Sequence, residues 1–214
     1  MRIGVFDSGR GGEFIAAGLE ILLPEHDFMV VNDRENVPYG SRSNDEILAL
    51  TSAAIQPLLK ECPIVVIACN TATMAAISDL RARYPDTLFV GTEPMIKPAG
   101  ESSLTRRITV LATPLTLKSE RYQLLKTHYA DGLHIDEPNT HHWAKAVEEA
   151  TADTIHFDDI AASIQSGSDT VILACTHYLA LKERLENTFP TAAILEPTSA
   201  IARQIVRLSA QVQR

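Results

Sequence analysis

The apolar positions of this chain fall into two patterns, short unbroken runs and amphipathic stretches, and the two alternate. Ile3-Gly4-Val5-Phe6, Phe28 to Val31, Ile64 to Ile67, Leu88 to Val90, Ile108 to Leu111, Val171 to Leu173 and Ala192 to Leu195 are runs of β-branched and aliphatic residues. Runs of this length, each bounded by turn residues, read as strands buried on both faces of a parallel sheet. The stretches between them carry helical spacing. They predict helices over Glu13 to Leu23, stopped by Pro24; over Asn44 to about Glu61, with an inner stripe of Ile47, Leu50, Ala54 and Leu58 and a kink at Pro57; and onward from Cys69 to Tyr84. In the second half, helices are predicted from about Lys118 to His128, around Trp143 to Glu149, over Ile155 to Gln165, from Cys175 to Phe189, and over Ser199 to Val212. Asn44-Asp45-Glu46 is read as the cap of its helix, and Gly91-Thr92-Glu93-Pro94 as a crossover.

One unit of this pattern occurs twice. Ile64 to Thr73 reads Ile-Val-Val-Ile-Ala-Cys-Asn-Thr-Ala-Thr, and Val171 to Tyr178 reads Val-Ile-Leu-Ala-Cys-Thr-His-Tyr, with the two cysteines 175 − 69 = 106 residues apart. Arg2 to Ser8 and Arg107 to Thr113 repeat at 108 − 3 = 105. Two strand–turn units recurring at one spacing imply an internal duplication. The expected fold is α/β, with two pseudo-symmetric lobes, each a mostly parallel sheet flanked by helices, and an active site in the cleft between them. The first lobe is predicted over 1–93 plus 198–214 and the second over 94–197. Both Cys69 and Cys175 are placed where a strand ends and a helix begins, near unpaired helix N–H groups.

Composition narrows the class. The apolar fraction of 45% and charged fraction of 21% are those of an ordinary globular protein. The net charge of −8, without a run of lysines or arginines, argues against nucleic acid or an anionic membrane as partner. No apolar run approaches the ~20 residues of a membrane span. The chain opens in a strand rather than a signal peptide, and three cysteines (Cys62, Cys69, Cys175) cannot all pair, so a reducing cytoplasm is expected.

Chemistry concentrates in the strand-end turns. Asp7-Ser8-Gly9-Arg10-Gly11-Gly12 lets a ligand approach backbone N–H groups, but it is neither the dinucleotide fingerprint nor a P-loop. No C-x-x-C is present, and His141-His142 lacks a companion at ligand spacing, so no metal is expected and that pair is read as surface. Cys62 is read as a structural cysteine. A disulfide or redox pair demands proximity that nothing local requires. The remaining reading is two thiols acting as acid and base across one small ligand. A helix N-terminus lowers a thiol from its usual ~8.5, putting a thiolate within reach at neutral pH. Ser8, Asn70, Thr71, Thr113, Thr116 and Thr176 offer donors suited to carboxylates, and Asp7 and His177 are ionisable neighbours able to move the thiols' protons.

Four segments carry a family resemblance: Gly4 to Gly12, Val37-Pro38-Tyr39-Gly40-Ser41, Ile67-Ala68-Cys69-Asn70-Thr71-Ala72 and Cys175-Thr176-His177-Tyr178. In this order, over nearly the whole chain, they resemble the signatures of the glutamate racemases. The resemblance implies cofactor-independent interconversion of L- and D-glutamate by two cysteines, D-glutamate supply to peptidoglycan synthesis, and a homodimer. It implies that Cys69 deprotonates D-glutamate with help from Asp7, and Cys175 deprotonates L-glutamate with help from His177. Asp7, Ser8, Pro38, Tyr39, Gly40, Ser41, Asn70, Thr71, Thr113, Thr116, Thr176 and His177 would line the substrate site.

The chain departs from the family pattern by being shorter, mainly between Glu148 and Asp169 and at its C-terminus. Further departures are at Arg10, Glu13, Asn32, Asn36, Glu137-Pro138, Ala174 and Leu179-Ala180-Leu181, and Glu148 falls near a family carboxylate. The rivals are an aspartate or other acidic amino-acid racemase, a non-catalytic acidic amino-acid-binding relative, and a one-cysteine hydrolase or lyase.

Overall fold

Two parallel four-stranded sheets organise the chain in the computed structural model, which describes residues 1–212. The strands are β1 (Arg2–Asp7), β2 (Asp27–Asn32), β3 (Ile64–Ile67), β4 (Leu88–Gly91), β5 (Arg107–Leu111), β6 (His134–Asp136), β7 (Thr170–Leu173) and β8 (Ala193–Leu195). Their orders are β2-β1-β3-β4 and β6-β5-β7-β8, the same arrangement twice. The sequence repeats coincide with it: the 105-residue offset relates β1 to β5 and the 106-residue offset relates the turn after β3 to the turn after β7. Met1–Thr92, with the segment from Pro197 on, forms one compact unit, and Glu93–Glu196 forms the other. The first-lobe segment expected to reach residue 214 ends with Gln213 and Arg214, which lie outside the described residues.

In the first unit, β3 is buried along its whole length, as its Ile-Val-Val-Ile run requires. Burying each such side chain contributes about 1.5–3 kcal/mol. The helix Gly11–Leu22 covers one face together with the last helix, Thr198–Val212. These two helices approach closely at Gly18, where an added Cβ would lie 2.8 Å from Thr198 Cγ2.

The helix expected to run from Asn44 to Glu61 is two helices, Asn44–Ala54 and Gln56–Glu61, because Pro57 has no N–H to continue the first and suits the opening turn of the second. Its cap is Ser43, not Asn44: the Ser43 side chain accepts from Glu46 N, and Glu46 reaches back to the Ser43 N–H. The inner stripe also differs. Thr51, Ser52 and Ile55 are buried, while Leu50 and Ala54 are half-buried.

In the second unit the strands alternate cleanly between two apolar layers. Ile108, Val110 and Ile172 pack on one side with Tyr122 and Ile96, and Leu111, Val171 and Leu173 pack on the other with Trp143, Phe157 and Tyr178. Two short helices escape the sequence reading: Ile96–Ser102, after the supposed crossover, and Pro114–Lys118, in what reads as a turn. The helix read from Lys118 begins at Glu120, capped by Ser119. The helix read from Ile155 begins at Asp158, after a 3-10 turn over Ala152–Thr154. The helix read from Cys175 is a 3-10 segment, Thr176–Leu181, followed by a helix over Lys182–Thr188. Short elements carry too few residues to show a period, which is why pattern alone misses them.

Candidate active site

In each unit the chemistry lies at the carboxyl ends of the two central strands, the position where open α/β sheets hold ligands. In the first unit β1 delivers Asp7, wholly buried, and Ser8. The Gly9 N–H donates to Asp7 Oδ2 at 2.9 Å, so the turn's backbone fixes the carboxylate. Gly12 opens the following helix where no side chain fits: a Cβ there would lie 2.7 Å from Asn32 Oδ1 and 2.8 Å from Asp7 Cβ.

β3 delivers Cys69, 6% exposed, which caps the helix Asn70–Arg83 by accepting the Ala72 N–H at 3.4 Å. Ser8 Oγ lies 3.3 Å from Cys69 Sγ. The turn is held from behind: Thr73 Oγ1 donates to Ile67 O at 2.9 Å, and Thr92 Oγ1 donates to Ala68 O at 2.8 Å. Asn70 and Thr71 are buried beside it, and neither amide atom of Asn70 has a hydrogen-bond partner. A buried amide with both ends unpaired costs stability unless a ligand completes it.

Tyr39 is buried against Phe6 and donates to Asp33 Oδ2 at 2.7 Å. Burial and that bond raise its phenol well above the usual value. Its 3-10 turn, Tyr39–Ser41, packs on the helix that Cys69 caps, with Pro38 and Ser41 exposed and Gly40 half-buried.

The expectation that the helix N-terminus makes Cys69 a ready thiolate is corrected. Burial pushes the thiol up to about 11 and the Asp7 charge adds to this. The Ser8 hydroxyl and the N–H groups of Ala72 and Ser8 oppose the rise without cancelling it. Desolvation of an anion outweighs a helix terminus when the sulfur has this little contact with water.

In the second unit β7 leads to Cys175, 7% exposed, in extended backbone. A 3-10 segment follows that the Cys175 side chain does not cap, whereas Cys69 caps its helix, which corrects the expectation of two like helix starts. A histidine stands in instead. Cys175 Sγ lies 3.8 Å from His177 Nδ1, and His177 Nε2 lies 2.6 Å from Glu148 Oε1. A carboxylate only accepts, so Nε2 carries a proton and Nδ1 faces the sulfur.

Thr113 caps the helix Pro114–Lys118, and its Oγ1 lies 3.0 Å from Thr116 Oγ1, which sets two hydroxyls side by side at the end of β5. Thr176 is buried. Tyr178 donates to Thr140 O and Oγ1, both at 3.0 Å, and Thr140 Oγ1 donates to Ala112 O at 2.8 Å, tying the turn after β7 to the end of β5.

The sequence reading did not single out Thr140, gave Tyr178 no role beyond its place in the last signature segment, and set Glu148 only near a family carboxylate. Glu148 pairs with a residue 29 positions away, a separation with no local period to reveal it. Cys62 is a buried free thiol beside Arg2 and Glu61, at the opposite end of its sheet from Cys69. His141 and His142 are exposed, with ring centroids 5.1 Å apart. Among the described residues no three His, Cys, Asp or Glu side chains are grouped to hold a metal ion, and no helix is long and apolar enough to cross a membrane.

Residues 15–205 match the pattern of the Asp/Glu/Hydantoin racemase family. The chain is 34% identical to a glutamate racemase of Roseiflexus sp. strain RS-1, over 96% of this chain and 78% of that one. It is 37% identical to that of Herpetosiphon aurantiacus, over 97% and 84%. Among solved structures, Escherichia coli glutamate racemase in complex with L-glutamate and the activator UDP-MurNAc-ala superimposes with a TM-score of 0.85 and 27% identity, over 97% of this chain and 81% of that one. The chain therefore belongs to the Asp/Glu/hydantoin racemase family.

Proposed function

We propose that this chain interconverts L- and D-glutamate by two-base proton transfer, with Cys69 and Cys175 on opposite faces of one substrate carbon and no cofactor. The observation that carries the reading is the occurrence of two buried thiols, neither in a disulfide, at equivalent strand ends of two like-ordered sheets, each with its own ionisable neighbour. A site with one nucleophilic cysteine needs no such second thiol. The unpaired Asn70 amide and the Thr113–Thr116 hydroxyl pair supply groups for carboxylates.

With L-glutamate, Cys175 takes the α-proton as His177 receives or shares the sulfur's own proton, and Glu148 stabilises the resulting imidazolium. Cys69, a thiol at neutral pH, gives its proton to the other face. One Cα–H bond breaks as another forms, and no electron is gained or lost. In the reverse direction Asp7 accepts the Cys69 proton, and the Ser8 and Ala72 donors stabilise the thiolate. The relatives' names support glutamate over aspartate as substrate. The same reading assigns D-glutamate to peptidoglycan synthesis, and thereby to cell-wall biogenesis and cell shape, by a cytoplasmic homodimer.

The test is proton exchange in D2O, followed by NMR of the α-proton, with L- and D-glutamate, aspartate as control, and Cys69→Ser and Cys175→Ser in parallel. Exchange with inversion from both enantiomers, lost in either variant, is expected. A covalent adduct on one cysteine with little loss from replacing the other would instead favour a hydrolase or lyase. No exchange with any acidic amino acid would leave a binding relative.

A further inference from the structure

Asn32 ends β2 directly beside Asp7 at the end of β1: the two residues are register partners, and the Asp33 N–H donates to Asp7 O at 3.0 Å. The Asn32 carboxamide and the Asp7 side chain meet over the bare Cα of Gly12. An ideal Cβ on Gly12 would touch Asn32 Oδ1 at 2.7 Å and Asp7 Cβ at 2.8 Å, so the two side chains close on that point with no room for another carbon. Asn32 Oδ1 is buried and accepts no hydrogen bond. The amide nonetheless keeps this orientation, because Asn32 Nδ2 donates to Glu13 Oε1 at 3.2 Å and Arg34 donates to the same oxygen at 2.8 Å. Turning the amide over would set two acceptors, Asn32 Oδ1 and Glu13 Oε1, against each other. An exposed ion pair such as Glu13–Arg34 adds little stability by itself. Its evident effect here is to fix which end of the amide, the oxygen, faces Gly12.

We infer that Asn32 is a positioning residue for Asp7, acting through Gly12 and oriented by Glu13 and Arg34. This rests on the reading that Asp7 assists Cys69. Asn32 touches no reacting atom. It limits how far the Asp7 carboxylate swings from the sulfur, and a displaced acid–base partner costs rate steeply.

The experiment measures primary deuterium isotope effects on kcat/KM with (2-2H)-D-glutamate and (2-2H)-L-glutamate, in wild type, Asn32→Ala and Glu13→Ala. Enantiomers have an equilibrium constant of one, so kcat/KM should fall equally in both directions, on the order of tenfold in Asn32→Ala. The isotope effects separate the two sides. Abstraction from D-glutamate by Cys69 becomes more limiting, so the effect should rise with the D-enantiomer and fall with the L-enantiomer, less strongly in Glu13→Ala. An isotope effect is a ratio and does not depend on how much protein is folded, so a merely destabilised variant leaves it at the wild-type value. Wild-type values in both variants, with the wild type active, would overturn the inference alone. A wild type that racemises nothing would overturn it together with the reading beneath it. Should Asn32→Ala not fold, the exposed Glu13→Ala decides.

Discussion

His177 Nε2 lies 2.6 Å from Glu148 Oε1, and this contact fixes which ring nitrogen faces Cys175. Cys69 has no such relay: its sulfur is served by the Ser8 hydroxyl, the Ala72 N–H and the nearby Asp7. The two thiols sit at equivalent strand ends, yet they are tuned by different means.

Replacing Glu148 by Gln keeps the shape of the contact and removes its charge. The imidazolium then loses its partner, and kcat should fall on the order of tenfold to a hundredfold with KM little changed. The diagnostic is a primary isotope effect that grows with L-glutamate and shrinks with D-glutamate. Equal isotope effects in variant and wild type would remove Glu148 from the relay.

Gly12→Ala forces a methyl group against Asn32 Oδ1 and Asp7 Cβ, both attached to strand ends with little freedom to yield. We expect a loss of about 1–3 kcal/mol in urea unfolding and a larger loss of racemisation than of stability. A variant with wild-type activity would show that the Asp7 turn adjusts more readily than its packing implies.

The raised Cys69 thiol makes stability depend on alkaline pH. The unfolded thiol ionises near ~8.5, whereas the folded one holds its proton to about 11. Its contribution is therefore fully present below the unfolded value and is lost as pH rises through the folded one. Between pH 8 and 11 the wild type should lose up to about 3 kcal/mol that Cys69→Ser does not lose, measurable by urea titration at each pH. Parallel curves for the two proteins would place the Cys69 pKa near its unperturbed value.

Asp169 behaves oppositely. Partial burial raises its pKa, but hydrogen bonds from the Ser103 hydroxyl, Thr105 N–H, Thr170 hydroxyl and Leu104 N–H outweigh it and bring the carboxyl to about 2. Stability from this group is present above the unfolded carboxyl value near ~4 and is lost as pH falls towards 2. Asp169→Asn should cost about 1 kcal/mol at neutral pH, discounted for its partial exposure, and should flatten the acid limb of the melting temperature. An unchanged acid limb would assign that limb to other carboxylates.

The fold was legible wherever a residue run is long enough to show its own period. Seven of the eight strands are foreshadowed as apolar runs, and the 105- and 106-residue offsets foreshadow two sheets of one strand order. Cys69 and Cys175 at strand ends follow from the same local rule, that a buried strand ends where polar turn residues begin. The short helices Ile96–Ser102 and Pro114–Lys118 were not legible, since five to seven residues do not complete two turns. Tertiary structure alone decided the rest. The Glu148–His177 and Asn32–Glu13 contacts join residues 29 and 19 positions apart, on elements whose approach no local period encodes. The state of the Cys69 thiol was decided the same way. A helix N-terminus can be read from sequence, but the desolvation that overrides it depends on every residue packed around the sulfur.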